Sequence, residues 1–540
     1  MPLPEHGSTW PPKPWDRAQR DMAVWNAWYT GNTTDLETIY TAHGTMRPAL
    51  GARGIIGRIQ RFFWSRPDIQ QSAKLHLPAP ADLARASADL LFSQPPTWMI
   101  AADDTVGDRA AAQKRLDTIF ASDETVSTLL EAAEVCSALG GSYLRLWWDT
   151  QIADHVMLGT VAADAALPTW RYNRLTAVTF WTTVFDEDGT VLRHLERHEP
   201  GRILHGLYHG DRSRLGRRIP LSESPDTQWA VDVVDADGGI ATGVSTLTAA
   251  YVPNVRPNRL WRTTPGLTQL GRSDFDQLEQ WFDALDETYT SWLRDIRLGK
   301  ARLFVDENLL KPAAPGHGAE WDNEQAVFTT LRAGLGSAAD GHGGVQANQF
   351  AIRWQEHAQT AAELLNVVLR AAGQSANNFS DNSLTVGVMT ATEVNAREKL
   401  SEKTRSKKIS YWKSALRPLA ATAMRIDAAV FGTGITLSDD PELKFPTRSA
   451  QSPTEMAATL AALASAHAMS TRQMVLEQHP DWSTEEIDAE VARIANDRAA
   501  AAVTDLPSPM DYGAPPGDGD DDIATSATVP ADDAAPPLAA

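Results

Sequence analysis

The sequence predicts an α+β protein, predominantly helical, divided into more than one folding region. Three observations lead there. The chain has 540 residues, beyond the length that one hydrophobic core usually serves. Between about 165 and 265 the text reads as strands and turns, and from 271 onward apolar residues recur every three or four positions, as on helices. Apolar residues make up 43% and charged residues 22%, which supports packed cores and excludes overall disorder.

Residues 14–45 carry Trp15, Trp25, Trp28 and Tyr29 among polar neighbours, which predicts a short amphipathic helix that packs on something else, as an arm would. PAPADLARASADLLFSQPP reads as a helix stopped by Pro95 and Pro96, and TWMIA after it as a strand. Thr125 to Leu139 forms the next helix, ended by Gly140 and Gly141 before the strand SYLRLWW. TAVTFWTTVF, VLRHLERHE and RILHGLYHG, separated by DEDG and PG, predict a β-meander, and 211–250 reads as loops.

At Gly271 the pattern changes. Ser273 and Asp276 resemble a capping box opening a long helix, and Phe275, Leu278, Phe282, Leu285, Tyr289, Trp292 and Ile296 form one narrow apolar seam along it. The acids Asp276, Glu279, Asp283, Asp286 and Glu287 are expected on a separate, acidic face. A strand ARLFV and a Gly-rich stretch follow, and Trp354, Ala358, Ala361, Leu365, Val368 and Ala372 then give a second seamed helix. The polar segment QSANNFSDNSLTVGV separates it from a helix opened by Thr390 and Glu393 that reaches Phe431, with Pro418 expected to kink it. Three short helices beginning at Ser452, Ser470 and Ser483 come next, and the Asp-, Pro- and Ala-rich end is expected to be disordered.

The net charge of -20 opposes tight binding to a nucleic-acid backbone. Eight acids and no Lys or Arg lie beyond residue 498, leaving -12 for the body. Between Arg397 and Lys413 seven basic residues face only Glu398 and Glu402, and Lys399, Lys403 and Lys407 recur every four positions on one helix face. That stripe has two functional readings, contact with a DNA backbone or with an acidic face of another subunit, beside a simply solvated one. His194, His198, His205 and His209 cluster in sequence, but HLERH does not match HExxH and lies in a hairpin, so no metal site is assigned and a solvated or inter-subunit face is expected. The single cysteine, Cys136, sits in an apolar run without a basic partner and reads as a buried small residue. There is no GxxxxGK[ST] loop, no dinucleotide motif and no catalytic constellation, so neither an enzyme nor a cofactor is predicted. No stretch has the length and apolarity of a membrane span, and the start has no apolar run suited to a secretory signal, so synthesis in the cytoplasm is expected.

Three stretches resemble the phage portal family, especially the form in long-tailed phages of actinobacteria: VLRHLERHEPGRILHGLYHGDRSRLGRRIPL, GRSDFDQLEQWFDALDETYTSWLRDI, and NNFSDNSLTVGVMTATEVNAREKLSEKTRSKKISYWKSALRPLA. Their order carries the resemblance over roughly residues 15 to 500. It implies a homo-oligomeric ring, typically a dodecamer, at one capsid vertex, with wing, stem, clip and crown around a channel for double-stranded DNA. The implied map is 1–270 arm and α+β wing, 271–299 stem helix, 300–352 clip, 353–373 second stem helix, 374–389 channel loop, 390–450 long wing helix and strand, 451–500 crown, and 501–540 acidic tail. Implied partners are the terminase motor, a head-completion or adaptor protein, and the major capsid and scaffolding proteins, with no membrane, and the implied location is the virion. In the polar loop, Asn377, Asn378, Ser380 and Asn382 are the candidates for weak DNA contact. The alternative is another head–tail connector or minor capsid protein without a DNA gate, and the rival from another class is a zinc or nucleotidyl enzyme built on the histidines.

Overall fold

The computed structural model describes residues 3–43, 75–101, 104–298, 302–305, 345–348, 352–375, 391–446, 453–466, 468–479, 482 and 484–504. They form a mixed helix and strand protein of two compact units, 1–448 and 449–540.

In the first unit, helices α1 (Trp15–Thr30) and α2 (Thr33–His43) lead to α3 (Ala79–Phe92), the short strand β1 (Thr97–Met99), α4 (Arg109–Phe120) and α5 (Asp123–Leu139). Asp108 and Ser122 cap α4 and α5 by accepting the backbone N–H of Ala111 and Thr125. Strand β2 (Gly141–Trp147) follows α5 directly and pairs antiparallel with β3 (Met157–Ala162). The meander comes next: β4 (Ala166–Arg171), β5 (Arg174–Glu187), β6 (Thr190–Glu199), β7 (Arg202–Gly210) and β8 (Arg217–Ile219), paired in that order, with β9 (Gly239–Ala241) also on β7. The stretch read as loops thus contains two short strands, and between them a 3-10 helix at Pro225–Asp232. Strand β10 (Ala249–Pro253) returns to β2.

Helix α6 (Glu279–Leu298) precedes the paired strands β11 (Arg302–Val305) and β12 (Val345–Asn348), then α7 (Trp354–Ala372) and the 40-residue α8 (Ala391–Val430), which stays helical through Pro418. Strand β13 (Glu442–Lys444) closes the unit against β1. The second unit contains α9 (Pro453–Ser465), α10 (Thr471–Gln478) and α11 (Thr484–Thr504). Ser470 accepts the Gln473 N–H at 3.2 Å as a cap, and α11 runs to Thr504, into the stretch expected to be a tail. The caps read at Ser452, Ser483 and Thr390, most of the 300–352 stretch, and the end beyond 504 lie outside the described residues.

Two cores flank α5. One packs α4, β2, β3 and α8 around Phe120, Leu144, Trp412 and Met424, and the other gathers Trp25, Trp28, Tyr143, Trp261, Phe275 and Phe282. Helix α1 packs on its own chain: Trp25 and Trp28 are each 1% exposed, because their rings pack on Trp261 at 5.6 Å and on Phe282 at 5.4 Å. Among the described residues no helix is long and apolar enough to cross a membrane.

The α5–β2 corner is sterically closed. Gly140 adopts φ +84°, and a Cβ there would lie 2.8 Å from the Ser273 backbone N and 2.9 Å from the Gly271 O. Gly140→Ala is expected to cost about 1–3 kcal/mol through the left-handed backbone and this close approach, read as a lower urea midpoint with an unchanged denaturant slope.

Candidate functional site

Helices α6 and α7 form an antiparallel pair whose apolar seam is submerged at one end and bare at the other. Leu278, Phe282 and Leu285 are at most 4% exposed, as are Val368 and Leu369 near the end of α7. At the opposite end Leu293, Ile296, Ile352 and Trp354 are exposed, Trp354 at 57%. There the pair is held by Asp295, which accepts from Arg353 Nη2 at 3.0 Å and pairs with His357 Nε2 at 3.0 Å, and by Trp292 lying parallel to His357. An open groove of about 270 Å³ between Glu287, Ser291, Glu356 and Thr360 follows the pair.

The helix begins six residues later than the apparent capping box. Ser273 Oγ instead donates to the Ala138 carbonyl at 2.5 Å and accepts the Phe275 N–H at 2.9 Å, and Gln277 has φ +67°, so 274–278 form turns. The five acids are not one solvent face. Asp286, at the edge of the seam, is buried where it receives the Leu77 N–H and the His76 ring, both at 2.9 Å. Asp276 precedes the helix and is buried with both oxygens unpartnered among the described residues, and burial raises its pKa. Glu279 accepts from Trp25 Nε1 at 3.1 Å, and burial raises its pKa too. Asp283 is half-buried, and only Glu287 of the five is fully exposed.

At the base of the pair lies a polar network. Lys408 Nζ meets Asp274 Oδ2 at 2.6 Å, with the two side chains 4% and 3% exposed. Asp274 also accepts from Ser137 Oγ at 2.7 Å and Asn254 Nδ2 at 2.8 Å, and Lys408 donates to Ser87 Oγ. One ion pair thus joins α3, α5, the turn into α6, and α8. One turn earlier on α8, Thr404 Oγ1 donates to the Gly373 carbonyl at 2.7 Å and Ser401 Oγ accepts the Ser375 N–H at 2.8 Å. The connection leaving α7 is therefore pinned to α8 at its root. Asn377, Asn378, Ser380 and Asn382 lie beyond that root, outside the described residues.

The basic run on α8 divides by burial. Lys408 is in the core, and Arg405 donates to the carbonyls of Leu90 and Pro446. Lys403 and Lys407 are exposed, with no ion pair among the described residues, and Leu400 beside them is 39% exposed. The Lys399 side chain lies outside the described set.

A family model described as phage portal protein, SPP1 Gp6-like, matches residues 20–503. The chain belongs to this family. Membership makes the chain a bacteriophage structural component with a portal or connector role, from a family that is structural and not enzymatic. Its comparison with curated proteins returns no match. Among solved structures it is similar to a chain titled "Neck of native GTA particle computed with C12 symmetry", at 11% identity and a TM-score of 0.33, over 74% of this chain and 89% of that one. At that TM-score the likeness carries no argument.

In this chain the histidine hairpin is a solvated face only at His209, which is exposed, while His194 is half-buried. His198 is 0% exposed and His205 3% exposed, because the 3-10 helix and the return toward β10 cover the strands. Glu196 lies 2.6 Å from His198 Nε2 and forms an ion pair with Arg145, and those contacts hold its carboxyl far below the usual range despite burial. His198 Nδ1 reaches Thr248 Oγ1 at 2.6 Å. His194 Nε2 and His205 Nδ1 are 3.2 Å apart, with ring centres at 5.3 Å and planes 12° apart, so the rings meet end to end across one hydrogen bond. Burial lowers both pKa values, that of His205 to about 4. Trp229 stands edge-on over both rings. No group of three or more metal-ligating side chains occurs among the described residues. Cys136 is 2% exposed, and burial pushes its thiol up to about 12.

Proposed function

We propose that this chain is the portal subunit proper: it assembles into a ring at one capsid vertex, through which double-stranded DNA is packaged and later ejected. The observation that carries this reading is the α6–α7 pair. A lone subunit leaves Leu293, Ile296, Ile352 and Trp354 bare at one end of this helix pair, a surface that neighbouring copies around a ring would cover. In this reading α6 and α7 are the stem, the 300–352 stretch is the clip that docks the terminase motor and then head-completion proteins, and the second unit is the crown. The wing is the first unit up to 270 together with α8, and the capsid and scaffolding proteins surround the ring.

The polar segment 374–389 then contributes the channel loop. Its anchorage on Ser401 and Thr404 supports a role in which loop position follows α8. Asn377, Asn378, Ser380 and Asn382 are suited to weak, charge-free contact with a passing duplex, and Glu287 with Asp283 supplies stem acids that do not hold phosphates. Asp276 and Asp286 drop out of the channel lining because they are buried within one chain.

Electron microscopy and light scattering of the purified full chain test this directly. Rings with an axial hole are expected. A chain that remains monomeric or dimeric under all assembly conditions would leave only a connector role without a DNA gate.

A further inference from the structure

The first unit carries two exposed surfaces of opposite charge, neither of them complete on its own. The first is a flap over the meander, built on the 3-10 helix Pro225–Asp232. Trp229 is 54% exposed, Val231 38% and Val233 55%, and the exposed acids Glu223, Asp226 and Asp232 surround them without any ion pair among the described residues. The flap is preorganised. Thr227 Oγ1 donates to the Leu221 carbonyl, Trp229 Nε1 donates to the Asp226 carbonyl at 3.0 Å, and the inner edge of the Trp229 ring rests on the His194–His205 pair.

The second surface is on α8, where Leu400, Lys403 and Lys407 fall at i, i+3 and i+7 and share one side of the helix. An apolar centre with an acidic rim matches an apolar residue with two lysines. Basic side chains next to the flap in the chain are less suited: Arg212 is paired with Asp186, Arg218 donates to backbone carbonyls, and Arg214 and Arg217 belong to the same stretch as the flap.

We propose that the acidic flap 221–237 docks on the Leu400–Lys403–Lys407 face of α8 in a second copy of this chain. The two surfaces differ, so the contact is head-to-tail and repeats around a closed ring. This rests on the ring reading given above and names a contact that builds it. It also decides between the two functional readings of the lysine stripe, assigning Lys403 and Lys407 to subunit pairing and not to DNA.

Charge exchange tests it on the full chain. Asp226→Lys with Asp232→Lys is expected to raise the concentration for half-assembly about tenfold or more at low salt, because it sets like charges against the lysines. Lys403→Glu with Lys407→Glu should do the same, and the four substitutions together should return assembly to within about threefold of wild type. All four positions are exposed, and unchanged thermal unfolding of the unassembled variants is the control for folding. Wild-type rings that form equally well in both charge-reversed variants would overturn the contact while leaving the ring intact. Impaired variants that the fourfold exchange fails to rescue would overturn it as well, as would a lysine variant that assembles normally and loses only DNA retention. A wild-type chain that never assembles would remove the ring reading itself, and this contact with it.

Discussion

Lys408→Met will destabilise the first unit by about 3–5 kcal/mol, the effect of removing one partner from a buried ion pair. The geometry is demanding: Nζ and Oδ2 are 2.6 Å apart with both side chains at or below 4% exposure, so the Asp274 charge loses its one cationic partner among the described residues while staying in the core. Ser137 and Asn254 continue to donate to Asp274, which keeps the damage below that of a bare buried charge. Lys408→Met combined with Asp274→Asn should recover at least half of the loss, because the double variant buries no charge. Urea unfolding of the four proteins gives the coupling directly, and equal, additive losses would show that the pair is not the connection between α8 and the turn into α6. Where Arg115 grips Asp427 through two bonds of 2.7 and 2.8 Å, α4 is tied to α8 by the same device. One buried and one half-buried ion pair therefore fix the long helix on which the 373–375 root is pinned.

Much of this arrangement is legible in the sequence because it is local. The seam of α6 and α7, the breaks at Pro95, Pro96 and Gly140, and the hairpins of the meander depend on residues a few positions apart, and periodicity and turn chemistry report them. What escapes is decided by partners distant in the chain. Ser273 and Asp276 satisfy the spacing of a capping box, but Ser273 is claimed by the Ala138 carbonyl, 135 positions away. Lys408 reads as one more charge in a basic run until Asp274, 134 positions away, takes it into the core. The tryptophans of α1 mark it as a helix that packs on something else, but nothing nearby predicts that Trp261 and Phe282 are what closes over Trp25 and Trp28. Helix α4 is the least legible of the helices: Ala112, Leu116, Ile119 and Phe120 keep helical spacing, but only three of its twelve residues are large and apolar. The N-cap Asp108 was the signal that could have found it. The histidines misled for a different reason. Alternation on β6 puts Arg193 and Arg197 opposite His194 and His198, which suggests one wet face, yet Arg193, Arg197 and His198 are all buried because the chain returns over both sides of the hairpin.

That burial makes the hairpin acid-sensitive. The end-to-end rings of His194 and His205 share a single hydrogen, and a second proton would set two N–H groups against each other at 3.2 Å beneath Trp229. Glu196 is the anion facing the pair, but it is already engaged by His198 and Arg145. With the folded pKa of His205 lowered to about 4 from 6.5, the unfolded chain binds more protons than the folded one across that interval, so stability falls as the pH drops from 6.5 and levels off near 4. At about 1.4 kcal/mol per pH unit, His205 contributes a loss of about 3 kcal/mol, and the lowered pKa of His194 acts in the same direction through the shared proton. His205→Gln keeps an amide that can accept from or donate to His194 Nε2, and it removes the His205 titration. The difference in unfolding free energy between wild type and His205→Gln should therefore change by about 3 kcal/mol between pH 7 and pH 4. Acids with raised pKa values, such as Asp276 and Glu279, act in the opposite sense but cancel in that difference. A pH-independent difference would mean that the proton is not confined between the two rings. The same titration should change the fluorescence that Trp229 contributes, measured as wild type minus Trp229→Phe, because separating the rings withdraws the surface on which the indole edge rests.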